Sequence, residues 1–338
     1  MIDWTKLEKA PRILLEAELR PAQGERFQPT GFADLGAAQF TRPDGTDMLL
    51  VESAQSVANR LERTCLDGDG PDVAEELSGL PYVAATLSGA ENLVRTSSLV
   101  EAHRIGSPYF LLNKKFKEQL AKEMKYNPKR PLDWKAIYAT LFRYDPNSLL
   151  HGVFLALLEG GRVRAARAVT GFIEAENVKK VISGGVKNSS VDPKGELQVA
   201  EAEAGEKGVY SNVPYSRIEF TAQRTKAYFN IDLALMRGYG LPASAFQLLT
   251  ALALLKVRRF LTAHLRLRTA CDFQMKGDVV VTAPADFQIP DEETLLARVQ
   301  SGIKDCKALF ADPAVTELET PVKVVKKKEE QASGVAVL

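Results

Sequence analysis

Cysteine and histidine are scarce in this chain: 338 residues hold three of each. Cys65, Cys271 and Cys306 stand far apart with no C-x-x-C pair. That spacing argues against a disulfide framework or a cysteine zinc site and fits a reducing cytoplasm. His103, His151 and His264 form no H-x-x-x-H pair, and no Ser/His/Asp or Cys/His set can be assembled by spacing. Long apolar runs are missing too. The best, Ala243 to Leu255, is short and carries Ser244, Gln247 and Thr250, so a buried helix is expected there rather than a membrane span. The opening Met1–Lys6 lacks the apolar core of a signal peptide. An excess of one charge is also lacking. With 44 Lys+Arg against 43 Asp+Glu the net charge is +1, and any basic surface must be local. The stretch Ser183-Gly184-Gly185-Val186-Lys187-Asn188-Ser189 fails the G-x-x-x-x-G-K-[ST] spacing of a phosphate loop. Two readings of it remain, a flexible turn and a segment whose Lys187 and backbone amides meet nucleic-acid phosphate. Asp67–Asp72 lacks the ligand spacing and terminal glutamate of a calcium loop.

What is present is an ordinary soluble composition, 45% apolar and 26% charged, arranged in a recognisable order. Arg12–Arg20 alternates apolar and charged residues as a half-buried strand does. Ala22–Thr46 is rich in glycine and polar residues, and its Phe27, Phe32 and Phe40 favour an ordered loop. Glu52–Glu62 has helical spacing, with Ser53 as N-cap and Gln55, Ser56, Asn59 and Arg60 on the polar face. Residues 73–150 look like a mainly helical insertion, and Ser148–Glu159 like a short apolar helix stopped by Gly160-Gly161. A strand is expected over 162–174, others over Ser216–Leu235 and Leu265–Phe273, a long helix over Ala245–His264 and a last helix over Asp291–Phe310. Ser190–Gly208 reads as mobile and the tail as disordered. Strand, helix, strand, strand, helix, strand is the split β-α-β-β-α-β order of an α+β, ferredoxin-like or RRM-like domain.

The basic residues carry the functional information. Arg162 and Arg164 alternate with Val163, and Arg266 and Arg268 with Leu265 and Leu267. Cations two apart on a strand form a row that can track a phosphate backbone. An ordinary charged exterior has the same pattern. No RNP-type aromatic signature marks the sheet, so base stacking of the standard RRM kind has no support here.

Several blocks resemble one family. They are Arg26–Gly36 (R-F-Q-P-T-G-F-A-D-L-G), Val51–Glu62 (V-E-S-A-Q-S-V-A-N-R-L-E), Glu101-Ala102-His103-Arg104, Thr170–Ala175, Ser183–Asn188 and Leu267–Asp272. In order, over roughly residues 12–272, they are similar to the backbone subunit of type I-G (formerly I-U) CRISPR Cascade, of the RAMP superfamily. The resemblance implies an RRM-like palm (12–63, 161–175 and 216–310, the last with a C-terminal helix). It also implies a helical finger insertion (64–160), a thumb hairpin insertion (176–215) and a disordered tail (311–338). It implies no enzyme, no cofactor and no metal, in the cytoplasm and away from any membrane. The partners implied are CRISPR guide RNA, a target DNA strand paired through the guide, further copies stacked as a helical filament, other Cascade subunits and a separate helicase–nuclease. The double glycine would bend the thumb as it reaches a neighbour. The RNA-binding set is Arg26, Gln28, Ser53, Gln55, Ser56, Asn59, Arg60, His103, Arg104, Arg162, Arg164, Lys179, Lys180, Lys187, Asn188, Arg224, Arg266 and Arg268. The competing class is a metal-dependent RNase on the same scaffold, using Asp34 or Asp67 and Asp69; a monomeric single-strand binder is a third.

Overall fold

The alternation along the first strand is real: its residues are buried and half-buried in turn. The computed structural model describes residues 2–32, 34–89, 94–194, 196–197, 212–263 and 265–323. Its main elements begin with β1 (Ile13–Pro21), β2 (Gln39–Thr41), β3 (Asp47–Glu52) and α1 (Ala54–Arg63). There follow β4 (Tyr82–Ser88), β5 (Val94–Ser97), α2 (Lys114–Glu123), α3 (Trp134–Tyr144), α4 (Pro146–His151), β6 (Val153–Phe154) and β7 (Arg164–Ala165). After them come β8 (Val169–Glu176), β9 (Lys179–Lys187), β10 (Val213–Thr221), β11 (Arg224–Ile231) and α5 (Ala243–Ala263). The chain closes with β12 (Arg266–Arg268), β13 (Cys271–Met275), β14 (Val280–Ala283), α6 (Glu292–Asp305) and β15 (Val315–Pro321).

The protein mixes helix with an antiparallel sheet of order β12-β13-β1-β11-β8-β3-β2, and β14 also pairs with β1. In the central run β13-β1-β11-β8, the chain's first strand lies between its fourth and third. The helices α1 and α5 cover one face, α1 against β8 and α5 against β11 and β13. Ile13, Leu15, Ala17, Val169, Ile173, Ala175, Ala227, Phe229 and Ile231 are among the buried residues of β1, β8 and β11. Each alternates with a half-buried neighbour, so the two-residue period fixes the register.

The chain departs from the sequence-based expectations in several places. The main-sheet strand starts at Val169, not 162. Gly160 and Gly161, at φ +77° and +51°, turn the chain so that β7 folds back on β6. The expected helix over 148–159 correspondingly ends at His151. Ser216–Thr221 leaves the main sheet and pairs with Lys179–Gly184 in a separate two-stranded ladder. Gly184 and Gly185 do not bend that ladder, because β9 runs through them unbroken. A Cβ on Gly184 would lie 2.4 Å from the Tyr215 carbonyl oxygen, so glycine here permits close strand approach. The expected strand over 265–273 is a pair, β12 and β13, with Ala270 at φ +57° in the turn. The insertion is not only helical, since β4 and β5 form a sheet within it. Nor is the stretch after 310 wholly unstructured: β15 adds to β4 in parallel, and Arg95 ties Glu317 to Asp72, each at 2.8 Å. Most of 190–208, His264 and the tail from 324 lie outside the described residues.

Two buried polar clusters hold these layers together. Lys256 sits in the apolar helix α5 with no exposure at all, and an unpartnered charge there would be costly. Its Nζ donates to Asn147 Oδ1 and lies 3.0 Å from His151 Nε2. Asn147 Nδ2 donates onward to Glu62 Oε1 (2.9 Å), which Arg104 grips bidentately (2.6 and 2.8 Å). Asp145 caps α4 through the Ser148 amide and hydroxyl. The second cluster is Glu52, wholly buried at the end of β3. Arg60 Nε donates to its Oε1 at 2.8 Å, Ser56 Oγ hydrogen-bonds the same oxygen, and Arg268 closes on Oε2 as an ion pair.

These clusters generate two predictions. Burial pushes the Asp145 carboxyl up from 3.8 to about 6, opposed by the Ser148 hydrogen bonds and reinforced by the nearby Glu62 charge. The folded state therefore holds a proton that the unfolded chain releases, and stability is lost as pH rises from about 4 to about 6. Asp145→Asn should remove that loss. Urea titrations should show the variant gaining on the wild type by up to about 3 kcal/mol over that window, at 1.36 kcal/mol per unit; a pH-independent difference would contradict it. Glu52→Gln leaves Arg60 and Arg268 without their counter-charge and should cost roughly 3 kcal/mol, the low end for breaking a buried pair. A cost near zero in the same assay would mean that both guanidinium groups are satisfied without it.

Candidate nucleic-acid interface

Helix α1 forms because Ser53 caps it, its side chain accepting from the Ser56 amide, and because Val57, Ala58 and Leu61 make one buried stripe. The opposite face places Gln55, Asn59 and Arg63 at i, i+4 and i+8, one above another. Their hydrogen bonds run in one direction. Arg167 Nη2 donates to Gln55 Oε1 (2.8 Å), and Gln55 Nε2 donates to Asn59 Oδ1 (3.0 Å). The Asn59 amide nitrogen is left as an outward donor. Arg167 is itself fixed by the carbonyls of Ala54 and His151, each at 3.2 Å.

Beside this face lies a groove of about 800 Å³. One wall is Gln55, Asn59 and Arg63, and the other is Arg95 and Leu99–His103. Glu62, Leu66 and Arg104 line it as well. Most of its charges are spoken for. Arg104 belongs to Glu62, Arg95 to Asp72 and Glu317, and Glu101 accepts from Thr96 Oγ1 and Ser107 Oγ. Among the described residues the side chains of Arg63 and His103 are exposed and make no hydrogen bond or ion pair. Besides the exposed Asp69 carboxylate at its rim, the groove presents an amide donor, a guanidinium and an imidazole, groups that can meet an anionic, acceptor-rich ligand such as a phosphodiester strand.

The structure brings Gln55, Asn59, His103 and Arg104 of the expected set to this one groove. It turns others inward. Besides Glu52, Arg60 donates to the carbonyls of Arg266 and Leu267, and Arg268 to those of Gln28 and Val51. Burial lowers the Arg60 pKa. Arg60, Arg268 and Arg104 are therefore internal ties rather than free cations, and Ser53 and Ser56 are used by the helix start. Arg26 pairs with Glu219 (3.2 Å), and Arg224 with Glu176 (2.7 Å), a hydrogen bond that raises the Arg224 pKa. Arg162 and Arg164 lie off the main sheet, so no arginine row crosses it. Arg266 is 82% exposed at the sheet edge, 3.6 Å from Asp272. Lys179, Lys180, Lys187 and Asn188 are exposed on the β9–β10 hairpin and its tip.

Sequence reasoning missed Arg63, Arg95 and Arg167. Helical spacing from Asn59 could have found Arg63, and Arg167 continues the basic run of Arg162 and Arg164; nothing local marks Arg95. It also missed a stacked pair on the uncovered sheet face, Phe172 and Tyr228, which pair across β8 and β11 with ring centroids 5.2 Å apart. Those rings are half-buried, and on their face Lys226 and Arg224 are already paired with Glu16 (2.6 Å) and Glu176 (2.7 Å), with Glu174 beside them, a poor setting for a polyanion. For the RNase alternative, among the described residues no cluster of three or more His, Cys, Asp or Glu is placed to hold a metal. Among them, too, no helix is long and apolar enough to cross a membrane.

Comparison with known proteins completes the picture. The comparison with curated proteins gave no match. Among the solved structures that the chain resembles, three show the weak level of the likeness. One titled "CRISPR RNA-guided surveillance complex, pre-nicking" is 14% identical over 87% of each chain, with a TM-score of 0.40. One titled "CRISPR RNA-guided surveillance complex" is 12% identical over 87% of this chain and 81% of that one, with a TM-score of 0.38. Csc2 of Thermofilum pendens is 10% identical over 90% and 78%, with a TM-score of 0.30. Likeness at this level fixes neither fold nor role. The family model described as CRISPR-associated protein GSU0053 matches residues 13–180. Over that stretch, which contains β1, α1, the groove and β8, the chain is similar to a CRISPR-associated family.

Proposed function

We propose that the chain is a guide-RNA-binding backbone subunit of a CRISPR effector complex of the type I-G Cascade kind, and that the α1 groove grips the RNA backbone. The observation that carries the reading is the meeting of Arg63, Asn59 and His103, none with its donor capacity used up, inside the stretch that matches a CRISPR-associated family. The strand order β13-β1-β11-β8 under α1 and α5 supports an RRM-like palm. Residues 64–160 would be the finger, and the β9–β10 hairpin a thumb extending to 221. On one hairpin face Ile182, 77% exposed, stands opposite Ile218. Apolar exposure of that kind supports a contact with a further copy of the chain. Such head-to-tail stacking does not close on itself, and other subunits would cap it.

In this reading the protein holds RNA by its phosphates and leaves sequence discrimination to base pairing between guide and target DNA. Arg63 supplies charge, Asn59 a fixed hydrogen-bond donor, and His103 a ring N–H as a second donor. Lys179, Lys180 and Lys187 extend the contact along the hairpin. Gripping requires no bond-breaking group, and DNA cleavage would fall to a separate helicase–nuclease. The protein should then leave RNA intact in the presence of Mg²⁺.

The purified protein should carry RNA of discrete length. In binding titrations against salt, Arg63→Gln should weaken RNA binding several-fold and reduce the log K versus log salt slope by about 0.7, as losing one phosphate contact on a single strand does. Arg60→Ala should instead lower stability and leave that slope unchanged. An unaltered slope in Arg63→Gln, or RNA cleavage abolished by Asp34→Asn or Asp69→Asn, would overturn the reading.

A further inference from the structure

We propose that the surface around Phe154 and Arg164 is a second contact for the same RNA strand, with the Phe154 ring and the Arg164 guanidinium as a base-stacking platform. This rests on the reading that the α1 groove holds RNA. Arg162 and Arg164 do not lie on the main sheet, and what they do instead is specific. Arg162 Nη1 donates to the carbonyls of Pro128 (2.9 Å) and Arg130 (3.0 Å), tying the 128–130 turn to the loop before β7. Arg164 pairs with Phe154 across the β6–β7 ladder and lays its guanidinium 4.0 Å above that ring. Phe154 is nevertheless 39% exposed.

Segments 127–131 and 153–165 together hold Lys129, Arg130, Arg162 and Arg164 against one carboxylate, Glu159. All four cations are exposed, and none forms an ion pair among the described residues. In a chain of net charge +1 this is a concentrated positive patch with an aromatic at its centre. Every nucleobase has a face that can stack on a ring or a guanidinium, and the neighbouring cations can meet the phosphates. The patch adjoins the groove. The turn 104–106, which follows His103, packs so tightly on β6 that a Cβ on Gly106 would lie 2.6 Å from the Phe154 carbonyl oxygen. Arg104 also donates to the Gly152 carbonyl at 3.0 Å. A strand leaving the groove past His103 therefore meets this surface next.

The test is fluorescence anisotropy with the full chain and a labelled single-stranded oligouridylate, titrated at several salt concentrations. Phe154→Ala should weaken binding roughly tenfold, within the range for losing one stacked base, and leave the salt slope unchanged. Phe154→Trp should retain affinity. Phe154→Leu keeps the apolar bulk without a π face and should bind like Phe154→Ala, which separates stacking from packing. Arg162→Gln and Arg130→Gln should each lower the slope by about 0.7. Wild-type affinity in Phe154→Ala and Phe154→Leu, or an unlabelled DNA duplex competing better than the oligouridylate, would overturn the platform while the groove assignment stands. Failure of the wild type to bind the oligouridylate would overturn both.

Discussion

The bidentate pair between Arg104 and Glu62 is the contact on which the rest of the structure depends. Both side chains are buried. Glu62 belongs to the helix that packs on the sheet, and Arg104 to the long insertion that follows it. The pair therefore joins the two halves of the groove and sets His103 across from Asn59. Arg104 adopts φ +52°, a conformation uncommon for a residue with a side chain, and its three hydrogen bonds to Glu62 and Gly152 hold it there. Asn147 carries the same carboxylate's influence to Lys256 in α5. One buried negative charge thus links the helical layer, the insertion and the groove floor.

That arrangement explains why three arginines near α1 are not available to a ligand. Taking an arginine out of water is tolerable only when a carboxylate and carbonyls receive its donors. Arg60, Arg104 and Arg268 meet that condition and become parts of the scaffold. Those that do not meet it, Arg63 on α1 and the lysines of the β9–β10 hairpin, face solvent. A near-neutral chain can still present a basic track if its internal cations are neutralised in place and the remaining ones are gathered along one path.

Much of the fold was legible in the sequence because it rests on local periodicity. The two-residue alternation expected over 12–20 and the stripe of α1 with Ser53 as its cap correspond to what formed, and the last helix, expected over 291–310, forms over Glu292–Asp305. What escaped depends on distant partners. Ser216–Thr221 alternates like a sheet strand, but which sheet it joins is decided by residues about forty positions earlier. Residues 315–321 look like a loose tail until β4 offers an edge and Arg95 a clamp. The site divides in the same way. Gln55 and Asn59 could be read from helix spacing, whereas the capture of Arg60 and Arg268 could not, because Glu52 becomes a buried counter-charge only once the fold brings Arg268, more than two hundred residues later, onto the end of β3.

The central claim is that RNA runs along α1 rather than across the open sheet face. Ultraviolet crosslinking of the full chain to bound RNA, with the crosslinked peptides identified by mass spectrometry, tests it most directly. The account predicts crosslinks in peptides covering 54–63 and 101–107. Crosslinks confined to Phe172 and Tyr228, with none in those two segments, would contradict it.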